Sequence, residues 1–306
     1  ARKARAAALK VIIPIVRWVF LLSISYILLY PLLYMISMTV KAPQDFYDTT
    51  VIWVPKNFSA NNIKRAWESL DYPKAFLNTV VIEVVSALIE VVSCSIAAYG
   101  LARFEFKEKK VLMFILIITI LVPSSMIMVP QMTSIRFMDI FGILGLVNKL
   151  TGVDLRPNLL NTPLAFYIPS ILGVGLKAGL FIYMYVQFFK GLPKELEEAA
   201  SIDGAGPVKT FLTIVVPSSG VIFLTVTIFS VIWHWNDTYI ATMFLSKNYP
   251  LSVALSNFGG AGDLYNPANV GILMAACLLV ILPPLIMYCI LQKQFIKSID
   301  RVGIVG

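Results

Sequence analysis

The chain has 306 residues, 58% of them hydrophobic and 14% charged, with a formal net charge of +8 and a mean hydropathy of +0.81. Soluble domains run at roughly 45–50% apolar and about 25% charged, so this composition excludes an ordinary soluble enzyme and points to an integral membrane protein. In such a chain positive charge belongs in loops beside anionic lipid; no stretch interleaves aromatics with Lys and Arg as a nucleic-acid surface would.

A basic tail, residues 1–10, carries Arg2, Lys3, Arg5 and Lys10. The first apolar run, 11–40, contains Pro14 and Pro31 and is followed by no small-residue cleavage site, so it is expected as a retained span, not a signal peptide. Further apolar runs lie at 75–102, 111–130, 172–189, 214–235 and 268–291, with 163–171 expected as a re-entrant or interfacial segment and Pro283-Pro284 expected to bend the last run. Each run suits the ~20 residues that a bilayer requires. Residues 11–306 are therefore expected to form one all-α, polytopic membrane helical bundle of about six transmembrane helices.

Basic residues cluster in the tail, in Arg103-Lys107-Lys109-Lys110, in Lys190-Lys194-Lys209 and in Lys293-Lys297-Arg301. With six spans these segments fall on one side, which the positive-inside rule makes the cytoplasm, so both termini of this multi-pass chain are expected there. The loops on the other side, 41–74, 136–163 and 237–267, carry mixed charge, aromatics and glycines. Cys94, Cys277 and Cys289 lie in apolar runs without metal-ligand spacing and read as small core residues. A single histidine, His234, builds no metal site by itself.

Two spans carry polar residues that a lipid-facing helix would not tolerate. Glu83 and Glu90 are seven residues apart, about two turns, and share a face with Thr79, Ser86, Ala87, Ser93, Cys94 and Ala97. Two carboxylates in a span must face protein or a water-filled path, so they line a solute route with Asn78 or are satisfied by a neighbouring helix or subunit. In the next-to-last span Thr227, Ser230, His234 and Asp237 align at three- and four-residue spacing beside Trp233, Trp235 and Asn236. Aromatic faces beside amide and carboxylate groups suit a sugar's C–H faces and hydroxyls; an interfacial aromatic belt explains the same residues.

The most distinctive stretch is the loop at 192–217, which is polar and charged between two apolar runs. Pro193 suits a first helical turn, Glu195, Glu197 and Glu198 suit the positive end of the helix dipole, and Asp203-Gly204-Ala205-Gly206-Pro207 breaks the helix before a second one starts. The Ala199-Ala200 pair leaves a face that another surface can approach closely. A solvated interfacial helix is the plainer reading of the same residues.

This loop resembles the conserved loop of the membrane subunits of binding-protein-dependent ABC importers. Glu198-Ala199-Ala200, Gly204, Ile214 and Pro217 stand at that family's spacing, with Val216 where Leu is usual. The resemblance extends through Asn78-Thr79, Ala97 to Phe104, Leu121-Val122-Pro123, Val129-Pro130 and Trp235-Asn236-Asp237, and it is nearest to the shorter membrane subunit of maltose-type and multiple-sugar importers. It implies the type I importer permease fold, with Glu195, Glu198, Ala199, Ala200, Asp203 and Gly204 forming a coupling helix that docks on a cytoplasmic ATPase. Implied partners are a second, homologous permease subunit, an ATPase dimer that holds ATP and Mg²⁺, an extracytoplasmic solute-binding protein, a carbohydrate and the lipid of a bacterial or archaeal cytoplasmic membrane. Two departures stand out: the stretch 150–177 is longer than usual, and the ending KSIDRVGIVG replaces the family's tail, which reaches into the ATPase dimer.

No phosphate-binding loop with Lys-Ser/Thr and no nucleophile–base pair is present in the sequence, so the chain is expected to hold no cofactor and to hydrolyse nothing itself. The leading expectation is a transport subunit driven by a separate ATPase. The alternatives are a secondary transporter that uses Glu83 and Glu90 as ion-coupling sites, and a membrane scaffold without transport activity.

Overall fold

The computed structural model describes residues 2–139, 141–259 and 266–303, with side chains at 12–123, 126–139, 141–259, 266 and 269–294. The basic side chains of the 1–10 tail, the Lys297 and Arg301 side chains, Gly260 and the last three residues lie outside that description, as does any contact of the tail ending KSIDRVGIVG. Every named element among the described residues is helical, and the chain divides into two compact units, 1–71 with 258–282 and 72–257 with 283–306.

The first unit begins with α1 (Arg2–Val40) and α2 (Asn61–Ser69). The Ile12–Val40 stretch is 29 residues long, and none of its most apolar window is buried, the pattern of a helix made to face lipid. Its end is tied down by the loop that follows. Buried Asn62 donates from Nδ2 to the carbonyls of Met38, Thr39 and Lys41, and Lys41 Nζ donates to the carbonyls of Val51 and Ile52. The Asp45 carboxylate accepts from Asn57 N at 2.9 Å and Nδ2 at 2.8 Å, and these bonds hold its carboxyl below the usual range.

The second unit opens with α3 (Tyr72–Asn78), a π-helical turn (Thr79–Val84) and α4 (Val85–Arg103), which together form a continuous 32-residue apolar helix. Ser86, Ala87, Cys94 and Ala98 on α4 are fully buried, whereas Leu88, Val92 and Ile96 are about half exposed. Glu83, Ser86, Ala87 and Cys94 face inward, as the sequence pattern predicts for a helix whose solvent on one side is lipid, but Ala97, expected on that face, is exposed, and Val91 and Tyr99 are buried.

The third apolar run is broken. α5 (Lys109–Leu121) and α6 (Ser124–Arg136) are separated at Val122-Pro123, because the residue before a proline is pushed out of the helical region and Val122 takes ψ 121°. Between α7 (Ile143–Thr151) and α8 (Leu164–Ile171) the loop is pinned by Met138 N to the Pro157 carbonyl and Leu159 N to the Ile135 carbonyl. There Asp154 takes two bonds from the Arg156 guanidinium at 2.8 Å, which hold its carboxyl below the usual range. α8 packs on the bundle: Ala165, Phe166, Pro169 and Ser170 are buried, and Ser93 on α4 donates to the Ser170 carbonyl.

The fourth run yields α9 (Ala178–Lys190), 13 residues or about 20 Å, shorter than the ~30 Å hydrocarbon layer. It is also the centre of the core, with Phe181, Tyr185, Val186 and Phe189 fully buried against α4. After α10 (Glu195–Ile202) and α11 (Pro207–Thr210), a second π-helical turn (Phe211–Val215) and α12 (Val216–Ser218) lead to α13 (Gly220–Trp235), with a bend of 82° at Ser219. The expected fifth span, 214–235, is therefore α13 alone plus a bent approach, because Ser219 leaves the helical region at ψ 19°.

Short α14 (Tyr239–Phe244) and α15 (Leu251–Ser256) precede α16 (Pro267–Gly303), which continues as one helix through Pro283 and Pro284. Among the described residues three helices are individually long and apolar enough to cross a membrane, or up to five if each of the two bent pairs counts as one span. Of the cysteines, Cys94 is buried and Cys277 half-buried, but Cys289 is exposed and is not the core residue expected of it.

Candidate functional site

Two clusters of chemistry-bearing residues sit at opposite ends of α4. The first joins Glu83, in the π-helical turn, and Glu90, on α4, to His234 near the end of α13. His234 Nδ1 lies 3.2 Å from Glu83 Oε2, and Nε2 lies 2.9 Å from Glu90 Oε2. Both glutamates are fully buried and the imidazole nearly so. Two helical turns separate the carboxylates, ~10 Å along the axis, and one imidazole ring bridges them.

Each bridge needs one proton. A doubly protonated imidazole between two carboxylates supplies both, and so does a neutral imidazole with one protonated glutamate; either state carries one negative charge. Ser230 Oγ, one turn before His234, donates to the Ala87 carbonyl at 3.3 Å and stands 3.5 Å from Glu90 Oε2. The remaining oxygens, Glu83 Oε1 and Glu90 Oε1, are buried and have no hydrogen-bond partner among the described residues, as is the case for Ser170 Oγ. A small pocket of about 20 Å³, lined in part by Ser170, Gly175, His234 and Asp237, has room for one water molecule. Gly175 is there because a Cβ would lie 2.8 Å from Glu90 Oε1 and 3.1 Å from Ser170 Oγ.

The other residues singled out near this end are occupied by the fold. Asp237 caps α14, accepting from Ile240 N at 3.2 Å and Ala241 N at 3.1 Å. Asn236 is exposed, and its Nδ2 turns back to the Ile232 carbonyl at 2.7 Å. Trp235 is buried edge-on against Phe76, with ring centroids 6.0 Å apart. Asn78 Nδ2 donates to the Tyr249 carbonyl, while Thr79 Oγ1 accepts from Leu251 N at 2.8 Å. The structure thus brings Glu83, Glu90, Ser230 and His234 together and turns Asn78, Trp235 and Asn236 to packing and backbone contacts. Nothing in the sequence marks the histidine as a bridge except its place one turn after Ser230 on a polar face. Among the described residues no group of three His, Cys, Asp or Glu side chains is arranged to hold a metal ion.

At the other end of α4 lies the 192–217 loop. It is a helix, a break and a helix: α10 closes with Ala205 N on the Ala200 carbonyl, Gly204 takes φ +78°, and Pro207 opens α11. Pro193 lies just ahead of the first turn, with the Lys194 carbonyl accepting the first bonds, not inside that turn as expected. Ala200 is buried, while Glu195, Glu198, Ala199, Asp203 and Gly204 are exposed. Ile202 and Val208 beside them are 86% and 73% exposed, so the loop presents apolar side chains among exposed charges that include Lys194 and Lys209 as well as the carboxylates.

Glu197 differs from its acidic neighbours. Its side chain is only 17% exposed, and Arg103 Nε, at the end of α4, stands 2.6 Å from its Oε1. That N–H is not aligned on the oxygen, so the contact is an ion pair and not a hydrogen bond. Tyr99 OH donates to the other oxygen at 3.1 Å, and Arg103 Nη2 donates to the Leu192 carbonyl at 3.0 Å.

Comparison with known proteins gives these two clusters their setting. The chain is 33% identical over 279 residues to the melibiose/raffinose/stachyose import permease protein MelC of Bacillus subtilis (strain 168), covering 90% of this chain and 91% of that one. It is 27% identical to the diacetylchitobiose uptake system permease protein NgcG of Streptomyces coelicolor, over 90% of this chain and 84% of that one. It is 26% identical to the trehalose transport system permease protein SugB of Mycobacterium tuberculosis, over 93% and 95%. Its fold matches a chain from the crystal structure of a bacterial ABC transporter involved in the import of the acidic polysaccharide alginate, with a TM-score of 0.71 at 22% identity, covering 93% of this chain and 96% of that one. Residues 91–301, from the middle of α4 through the exposed loop to α16, match the family described as the binding-protein-dependent transport system inner membrane component, and the chain belongs to that family.

Proposed function

We propose that this chain is the permease subunit of an ATP-driven importer for carbohydrate, most directly oligosaccharide, and that it forms half of the translocation path with a second, homologous permease. The observation that carries this reading is the exposed α10–Gly204–α11 segment in a chain of this family, with Ala199, Ile202 and Val208 uncovered between carboxylates. Such a surface suits a soluble partner: small side chains permit close approach, and the exposed charges of both signs, Glu195, Glu198, Asp203, Lys194 and Lys209, can pair with it. That partner is a cytoplasmic ATPase dimer, which holds the ATP and Mg²⁺. A binding protein delivers the sugar from the opposite side. The carbohydrate assignment is supported by relatives named for melibiose, raffinose and stachyose, for diacetylchitobiose and for trehalose. The clustering of basic residues supports a cytoplasmic placement of both termini and of the 192–217 loop.

In this mechanism ATP closes the ATPase dimer, the dimer displaces α10, and the spans swing from inward-open to outward-open. The clamp among Glu83, His234 and Glu90 holds α4 and α13 together at the far end, and the two carboxylates border the path without being free in it.

Reconstitution in proteoliposomes with the partner permease, the ATPase and the binding protein tests the reading. The sugar is first chosen by which candidate raises the melting temperature of the binding protein. Uptake must require ATP, and Gly204→Asp or Glu198→Lys must abolish it. Uptake driven by a proton gradient without any ATPase would instead establish Glu83 and Glu90 as ion-coupling sites of a secondary transporter.

A further inference from the structure

Motion of α10 can reach α13 by two routes. One is covalent, through residues 203–219. It is soft: Gly204 and Gly206 have open space where a Cβ would be, a π-helical turn follows, and the chain bends by 82° at Ser219. The other passes through α4, 19 residues of uninterrupted helix packed on both α9 and α13. A helix with an intact hydrogen-bond ladder transmits a push along its axis far better than a chain of hinges.

The second route has a defined attachment point. Glu197 uses both carboxylate oxygens on α4, one facing Arg103 and one accepting from Tyr99. Arg103 also holds the Leu192 carbonyl, on the segment that enters α10. The Tyr99 ring meets Phe189 at the end of α9 and Phe211 just after α11, with centroids 6.3 Å and 4.9 Å away. All three segments around α10 therefore converge on one turn of α4. At its other end α4 grips α13 through Glu90 and His234, and Ser230 on α13 reaches the Ala87 carbonyl.

We infer that Glu197 is the positioning residue through which the coupling helix moves α4, and through α4 the Glu83–His234–Glu90 clamp. The inference rests on the proposal that an ATPase engages α10. It separates the three acids of that helix: Glu195 and Glu198 face outward, toward the ATPase, and Glu197 faces inward, toward the bundle. The Glu197 contact is one ion pair and one hydrogen bond between side chains that are mostly withdrawn from water, so it couples α10 to α4 with little screening.

Hydrogen–deuterium exchange on the assembled complex tests this without knowledge of the sugar. The probe is ATP with Mg²⁺ and vanadate, compared with the nucleotide-free complex. In the wild type, exchange changes both at 195–204 and at 79–90. In Glu197→Gln the change at 195–204 persists, while the change at 79–90 falls by about tenfold. Tyr99→Phe, which removes one hydroxyl and leaves the ring packing intact, weakens the distal change by about fivefold. The double exchange Arg103→Glu with Glu197→Arg restores it. A Glu197→Gln complex in which 79–90 responds as in the wild type overturns the inference. So does one that has shed its ATPase, because Glu197 would then face the motor and not α4. A wild-type complex with no nucleotide response at 195–204 overturns the coupling proposal beneath it, and is read from the wild type alone.

Discussion

Each end of α4 carries an ionic cluster, and the two are built differently. At Glu83, His234 and Glu90 the charged groups are buried, and two carboxylate oxygens find no hydrogen-bond partner among the described residues. At Tyr99, Arg103 and Glu197 the carboxylate is part-exposed, and both of its oxygens are engaged by α4 side chains. Removing one member of a dry cluster leaves buried charge uncompensated, whereas at the second cluster the Glu197 side chain, 17% exposed, lets water replace part of what is lost. The first is suited to holding two helices in one relation, the second to a contact that moves.

The largest expected effect is therefore at the dry end. His234→Ala should destabilise the protein by about 3–5 kcal/mol, because it strands two carboxylates in the bundle. Thermal denaturation of the detergent-solubilised chain measures this. Replacing the whole cluster, Glu83→Met with Glu90→Met and His234→Phe, should recover most of that loss, since buried ion clusters are often replaceable by apolar groups of similar volume. If the triple variant is as unstable as the single one, packing volume and not charge is what His234 contributes, and the contrast between the two ends fails.

Part of this arrangement was legible in the sequence. The buried stripe of α4 follows from helical periodicity together with the rule that polar and small residues face inward in lipid, so Glu83, Ser86 and Ala87 fall inside and Leu88 and Val92 outside. The helix, break and helix of 192–217 follow from Gly204 and Pro207, whose backbone demands are local. What joins the elements is not local. His234 meets Glu83 and Glu90 across 151 and 144 positions of chain, and a single sequence offers no means of pairing them. Glu195, Glu197 and Glu198 are equivalent by dipole and propensity, and only the direction in which α4 lies sorts them. The shortness of α9 was hidden for another reason: Leu172 and Val174 are as apolar as its helical residues, yet Gly173 at φ +68° and Lys177 at φ +66° interrupt the helix before it.

A second pair of substitutions sharpens the comparison with the smallest possible change, one methyl group at each end. At the dry end Gly175→Ala places a Cβ 2.8 Å from Glu90 Oε1 and 3.1 Å from Ser170 Oγ. Glu90 cannot yield without loosening its bond to His234, so a loss of about 1–3 kcal/mol is expected. At the other end Gly100→Ala, one residue from Tyr99, meets nothing within 4 Å. There the methyl only restricts the unfolded chain and favours the helix, for a gain of about 0.5–1 kcal/mol. Opposite shifts in melting temperature are the expected result; shifts of the same sign would show that the two ends are equally tight.

The smallest effect on stability is expected at Glu197 itself. Its side chain is 17% exposed, and the isosteric amide keeps an oxygen as acceptor, so Glu197→Gln should cost about 1 kcal/mol. The amide retains a carbonyl oxygen for Tyr99, and Arg103 retains the Leu192 carbonyl, so the fold around α10 stays intact. A small loss of stability alongside a large loss of nucleotide response at 79–90 belongs to a contact that carries motion and not weight. If Glu197→Gln instead lowers the melting temperature as far as His234→Ala does, Glu197 is a structural anchor like the clamp at the opposite end, and α4 is held at both ends instead of being free to move at one.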